Sequence, residues 1–192
     1  MTIKVAQLST STRGGAGVAA QELSNALRTN GIDSTLISRE NLRNYEYSSI
    51  KKFSNNVLGK IVTQAQSMNT QSPFGIATPV SISNLNIVKL LRANYDLIHI
   101  HNWYNLLSLH DLNVLAESKP VVFTFHDERL ITGGCHTTLG CKGFENSCSQ
   151  CPAVKIKKSD VFKAKKDLFD ILTKAKNVSA ISPSKWIIEL YS

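Results

Sequence analysis

Apolar and polar positions alternate along this chain between two periods. Short apolar runs fit strands, and apolar residues spaced three and four apart fit helices. Lys4-Val5-Ala6-Gln7-Leu8-Ser9 predicts a short buried strand. Thr12-Arg13-Gly14-Gly15-Ala16-Gly17 predicts a turn, and Val18, Leu23, Ala26 and Leu27 predict a helix that stops at Asn30-Gly31. Ser34 to Ile37 completes a strand, glycine loop, helix, strand unit, which implies a parallel pair. Ile50, Phe53, Val57, Ile61 and Ala65 predict an amphipathic helix, and the polar stretch from Gln66 to Ser83 a loop.

The second half repeats the alternation. Leu85, Val88, Leu90 and Leu91 predict a helix ending near Asn94, followed by a strand from Asp96 to His101. Leu106 to Glu117 predicts a helix. The strand Pro120 to Phe125 is nearly all apolar, as a strand covered on both faces must be. A long loop from His126 to Pro152 precedes a helix over Ser159 to Lys174, a strand Val178 to Ile181 and a final helix opening at Ser184-Lys185-Trp186. The order predicts a Rossmann-like α/β domain of three layers, with a mostly parallel sheet and its first strand central.

Composition narrows the picture. The chain has 192 residues, 42% hydrophobic and 19% charged, which fits one globular domain. No apolar run is long enough to span a membrane, and the N-terminus does not read as a signal peptide, so a cytoplasmic location is expected. The net charge of +8 favours anionic partners. Much of it lies in Lys155, Lys157, Lys158, Lys163, Lys165, Lys166, Lys174 and Lys176. That segment predicts a basic surface suited to anionic lipid at the inner face of the plasma membrane. Nucleic acid is not expected, because the helix shows no interleaved exposed aromatics and no nucleic-acid module is present.

In a parallel sheet, ligands bind beyond the carboxyl ends of the strands. Three features fall there: the glycine turn, His101-Asn102-Trp103-Tyr104, and His126-Asp127-Glu128. Gly14, Gly15 and Gly17 let backbone approach a ligand, and helix N–H groups favour phosphate. The spacing fits neither a dinucleotide fingerprint nor a P-loop, and a simple tight turn is the other reading. His126 at a strand end suits a general base or a hydroxyl-orienting group, with Asp127 as its neighbour; a structural histidine is the plain alternative. His99 lies deeper and reads as a core histidine, and His101 as a weaker site candidate than His126.

Cys135, Cys141, Cys148 and Cys151 have the spacing C-x5-C-x6-C-x2-C within a cysteine-rich loop over 132–152. Four thiolates suit a closed, structural zinc site, with His136 able to replace one ligand. Disulfides, a redox pair, or packing thiols are the alternatives.

Together these motifs resemble a family. Gln7-Leu8-Ser9-Thr10 with Gly14-Gly15-Ala16-Gly17, Asp96 to Trp103, Lys119 to Asp127, Thr132-Gly133-Gly134-Cys135-His136 and Cys148-Ser149-Gln150-Cys151-Pro152 follow in an order similar to the N-terminal domain of family-4, GT-B-fold glycosyltransferases. The bacterial subgroup used for exopolysaccharide, capsule or O-antigen assembly is the nearest. Ser182-Pro183-Ser184-Lys185-Trp186 resembles the segment that closes that domain.

The resemblance implies an acceptor-binding half of a GT-B enzyme over 1–192. It implies a nucleotide-sugar donor held by a C-terminal domain not in this sequence, and a glycan or lipid-linked acceptor. Gly14 and Gly15 match the loop facing the donor phosphates, and His126 the histidine at the reacting sugar. Such enzymes need no metal for chemistry, so zinc here would be architectural. Two departures stand out. Glu128-Arg129-Leu130-Ile131 replaces the usual aromatic and proline, and the E-x7-E carboxylate motif of the donor domain is absent. Transfer by this chain alone is therefore not expected. A non-catalytic, zinc-stabilised Rossmann-like binding module is the alternative function.

Overall fold

The computed structural model describes residues 2–44, 83–156 and 158–191. The helix expected over 50–65 lies outside them, as does the loop expected over 66–83 except for Ser83.

The chain alternates strand and helix. β1 (Lys4–Leu8), α1 (Gly14–Thr29) and β2 (Asp33–Ile37) come first, then a 3-10 turn (Asn41–Asn44). α2 (Leu85–Asn94), β3 (Leu97–Ile100), α3 (Leu109–Ser118) and β4 (Val121–Thr124) follow. A 3-10 turn (Glu128–Leu130) and the single turn α4 (Gly143–Asn146) break the long loop. α5 (Lys158–Lys174), β5 (Val178–Ile181) and α6 (Lys185–Tyr191) end it. Among the described residues the strands form one five-stranded sheet in the order β2-β1-β3-β4-β5, and every pairing is parallel. The α/β, Rossmann-like expectation therefore holds. β1 is an interior strand as expected, but the middle position belongs to β3.

Register sorts the strand residues onto two faces. Ala6, Leu8, Ile37, Ile98, Ile100, Val121 and Phe123 share the face that joins the main apolar core with Ile87, Leu91, Leu112, Leu115 and Leu168. That is the face of α2, α3 and α5. The other face carries Val5, Gln7, Ser34, His99 and Thr124. α1 lies on it, since the Ser34 hydroxyl donates to Ser24 Oγ at 3.0 Å. Right-handed crossovers produce this division, because the chain steps one way to β2 and back the other way to β3.

Local chemistry sets the boundaries. α3 begins at Leu109, three residues later than its apolar pattern predicts, because Ser108 and Asp111 form a capping box. The buried Asp111 carboxylate also accepts from the Asn84 backbone N–H at 2.9 Å, and so joins the starts of α2 and α3. β5 is an edge strand, as is β2, and leaves Ile181 exposed.

Candidate functional site at the carboxyl edge of the sheet

The parallel strands deliver the loops after β1, β3 and β4 to one edge, so the glycine turn, His101 and His126 all lie there. The Thr10 hydroxyl ties the first two loops together. It donates to the Tyr104 carbonyl at 2.6 Å and lies 3.2 Å from Asn102 Oδ1.

The glycines divide by role. Gly14 has φ +74°, a conformation that favours glycine. A Cβ on Gly17 would lie 2.3 Å from the Ser11 carbonyl oxygen, so only glycine lets α1 start against that loop. Gly15 has open space around it and an ordinary φ. Gly14 and Gly15 are exposed, and α1 has no side-chain cap, so its first N–H groups meet no capping oxygen. The glycines do not line the cleft formed by His101, Tyr104, Thr124, His126, Asp127 and Arg129.

The histidines form a connected set of polar contacts at this edge. His101 Nδ1 lies 2.9 Å from His126 Nε2, and His101 Nε2 lies 2.8 Å from Gln7 Oε1. The His101 and His126 rings are 26° from coplanar with centroids 5.2 Å apart, an arrangement that brings their facing nitrogens within hydrogen-bond reach. His99 Nε2 lies 2.7 Å from Thr124 Oγ1, and its ring centroid is 4.3 Å from that of His101. Burial holds all three imidazoles neutral. It lowers His99 to about 4 and His101 to about 3, in each case helped by neighbouring histidines. Burial also lowers His126, against the raising effect of Asp127. His99 is thus a hydrogen-bonded buried histidine, as its depth in the strand predicts. His101 is more closely engaged with His126 than its sequence position suggests.

Asp127 is committed elsewhere. One oxygen accepts from the Arg129 backbone N–H at 3.0 Å, and the other pairs with the Arg129 guanidinium and with His136 Nδ1. Arg129 in turn stacks over the Tyr104 ring, 4.5 Å from its centroid. This geometry suits Asp127 to positioning Arg129 rather than to carrying protons. Gln7 and Arg129 are members of this site to which sequence reasoning gave no role, and Tyr104 was placed at this edge without one. Gln7 had a signal: it is the one polar residue amid Val5, Ala6 and Leu8, and it shares its register position with His99.

The cysteines form a second centre. All four are free thiols, and Cys135, Cys141, Cys148 and Cys151 line one pocket with Phe144 and Ala153. The Gly143 N–H donates to Cys141 Sγ at 3.4 Å, and the Gly133 backbone bonds to Cys148. Burial, then the neighbouring sulfurs, push Cys135 up to about 12. Among the described residues no three Cys, His, Asp or Glu side chains sit close enough together to grip one ion. Buried Glu128 links this loop to the histidine edge, since its N–H donates to the His136 carbonyl and its carboxylate accepts from the Thr138 N–H.

The basic segment is only partly as expected. Lys155, Lys163, Lys166, Lys174 and Lys176 are exposed, but Asp170 pairs with Lys174 at 2.8 Å and Lys166 at 3.5 Å. The helix does carry exposed aromatics, contrary to the sequence reading: Phe162 and Phe169 are 42% and 55% exposed. Their seven-residue spacing puts them on one face of α5. Among the described residues, no helix is long and apolar enough to cross a membrane.

The family model described as Glycosyltransferase Family 4 matches residues 13–141. The chain belongs to glycosyltransferase family 4. The matched span holds the glycine turn, His101, His126, Asp127, Cys135 and Cys141. Cys148, Cys151 and α5 lie beyond it. The chain is also 30% identical over 110 residues to a protein of Escherichia coli (strain K12) named as a putative colanic acid biosynthesis glycosyl transferase, WcaC. That alignment covers 52% of this chain and 27% of WcaC, so the chain corresponds to well under half of that relative. No solved structure matches the chain.

Proposed function

We propose that this family-4 domain is the acceptor-side half of an enzyme that moves a sugar from a nucleotide-sugar to a glycan or lipid-linked acceptor in polysaccharide assembly. The observation that carries this reading is the His126–His101–Gln7 hydrogen-bonded set at the carboxyl edge of a parallel sheet. His126 faces the reacting sugar. Gly14 and Gly15, with the uncapped start of α1, lie towards the donor phosphates. Asp127 acts by holding Arg129 in the cleft. The name of WcaC supports polysaccharide assembly as the process. The donor sits mainly on a second domain, so this chain is inactive alone. Labelled-sugar transfer to a lipid extract tests this: none by the 192-residue chain, and turnover by a version carrying the donor domain. Turnover by the chain alone contradicts it.

The cysteine loop is architectural in this reading. Cys135, Cys141, Cys148 and Cys151 hold one zinc, which clamps the loop between Glu128 and α5. Their shared pocket and the N–H···S bond at Cys141 support that role; the sulfurs must draw together to close on the ion. The protein works in the cytoplasm, and α5 meets the anionic inner face of the plasma membrane through its lysines and exposed Phe162 and Phe169.

A further inference from the structure

A glutamine with 0% exposure inside a sheet needs a reason. Its Oε1 lies at hydrogen-bond distance from His101, while its Nε2 is buried with no partner among the described residues. An unmet buried donor is a net cost to the fold. Leucine would fill a similar volume without that cost. What the amide provides in this orientation, and leucine cannot, is an acceptor facing His101 Nε2.

Each imidazole in the set is ambiguous by itself, since either ring nitrogen of a neutral histidine can carry the proton. A chain of such rings takes its direction from whatever lies at its end. Gln7 Oε1 can only accept, so His101 Nε2 carries a proton. His101 is neutral at ordinary pH, so its Nδ1 is then a bare acceptor. Nε2 of His126 must donate to it. The remaining nitrogen, His126 Nδ1, is left with a lone pair.

We propose that Gln7 is a positioning residue that acts through His101 to hold His126 in its Nε2–H tautomer, so that His126 Nδ1 accepts from a substrate hydroxyl. This rests on the proposed role of His126 at the reacting sugar. It adds the direction of the hydrogen bond: the site takes a hydroxyl as donor, and His126 does not donate to a substrate oxygen. A group that offers only acceptor atoms at that position is a poor ligand.

The test is the protonation pattern of the ring nitrogens, read by long-range proton–nitrogen correlation spectra of the ¹⁵N-labelled chain at neutral pH. The expected wild-type spectrum shows His101 and His126 each as a single neutral tautomer with the proton on Nε2. Gln7→Leu should shift His126 towards a mixture of tautomers while backbone amide signals away from β1 stay in place. A wild-type His126 protonated on Nδ1 overturns the proposal, and so does a single unchanged tautomer in Gln7→Leu. Should Gln7→Leu fail to fold, the wild-type spectrum still decides. These spectra do not depend on turnover, so the relay and the catalytic reading of His126 can fail separately.

Discussion

His101 Nδ1 and His126 Nε2 lie 2.9 Å apart, although 25 residues separate them in the chain. The contact exists because β3 and β4 are parallel neighbours in register, Ile98 beside Val121 and Ile100 beside Phe123. Their carboxyl ends therefore emerge side by side. The same register places Gln7 of β1 beside His99 of β3, within reach of His101.

Acid should destabilise the fold over a defined window. His99 and His101 titrate near 6.5 when unfolded, and at about 4 and about 3 when folded. The unfolded chain therefore binds more protons below pH 6.5, and stability falls as pH drops from there towards 3. A tenfold loss of proton affinity on folding corresponds to about 1.4 kcal/mol per histidine. Urea unfolding at about pH 7.5 and about pH 5 measures this. The expected midpoint is lower in acid, and His99→Gln should reduce the difference. Equal midpoints would count against the buried neutral histidines.

The glycine turn offers a discrimination between neighbours. Gly17→Ala should lower stability by about 1–3 kcal/mol, because its Cβ would press on the Ser11 carbonyl. Gly15→Ala should be neutral or slightly stabilising, because its surroundings are open and alanine is the better helix former. Denaturant midpoints of the two variants give the comparison. Equal losses would mean that the turn is tighter than its geometry shows.

Much of the sheet was legible because apolar runs bounded by glycine and polar residues mark parallel strands well. Boundaries shifted where side chains cap the backbone, as Ser108 does for α3. The edge that holds His126 and the glycine turn was legible, since strand-end position is visible in sequence, but the glycines do not line the histidine cleft. The roles of Gln7, Tyr104 and Arg129 were not legible. Their meaning depends on which strand lies beside which, and strand order is not written in local spacing. The exposure of Phe162 and Phe169 was missed for a similar reason: which apolar residues of α5 face the core depends on how the helix seats on α3.

The cysteine loop predicts bound zinc. Protein purified without chelator should carry about one equivalent, with zinc–sulfur distances of about 2.3 Å by X-ray absorption. A strong chelator should lower the unfolding temperature, and Cys148→Ser should abolish retention. Absence of zinc together with indifference to chelator would leave the thiols as packing groups.

Membrane association by α5 should require both charge and apolar contact. Binding to anionic liposomes should fall with rising salt, since screening shortens to about 8 Å at physiological ionic strength. Lys163→Glu with Lys166→Glu, or Phe162→Ser with Phe169→Ser, should each reduce co-sedimentation. Equal binding to neutral liposomes, or none to either kind, would leave this surface without a lipid role.

The central claim is that His126 serves the reacting sugar. Its most direct measurement is kcat of the form carrying a donor domain, compared between wild type and His126→Ala. Denaturant midpoints of the two forms should be measured alongside. The account predicts that kcat falls about a hundredfold or more while the midpoint changes little. Unchanged kcat in a folded His126→Ala protein would contradict it.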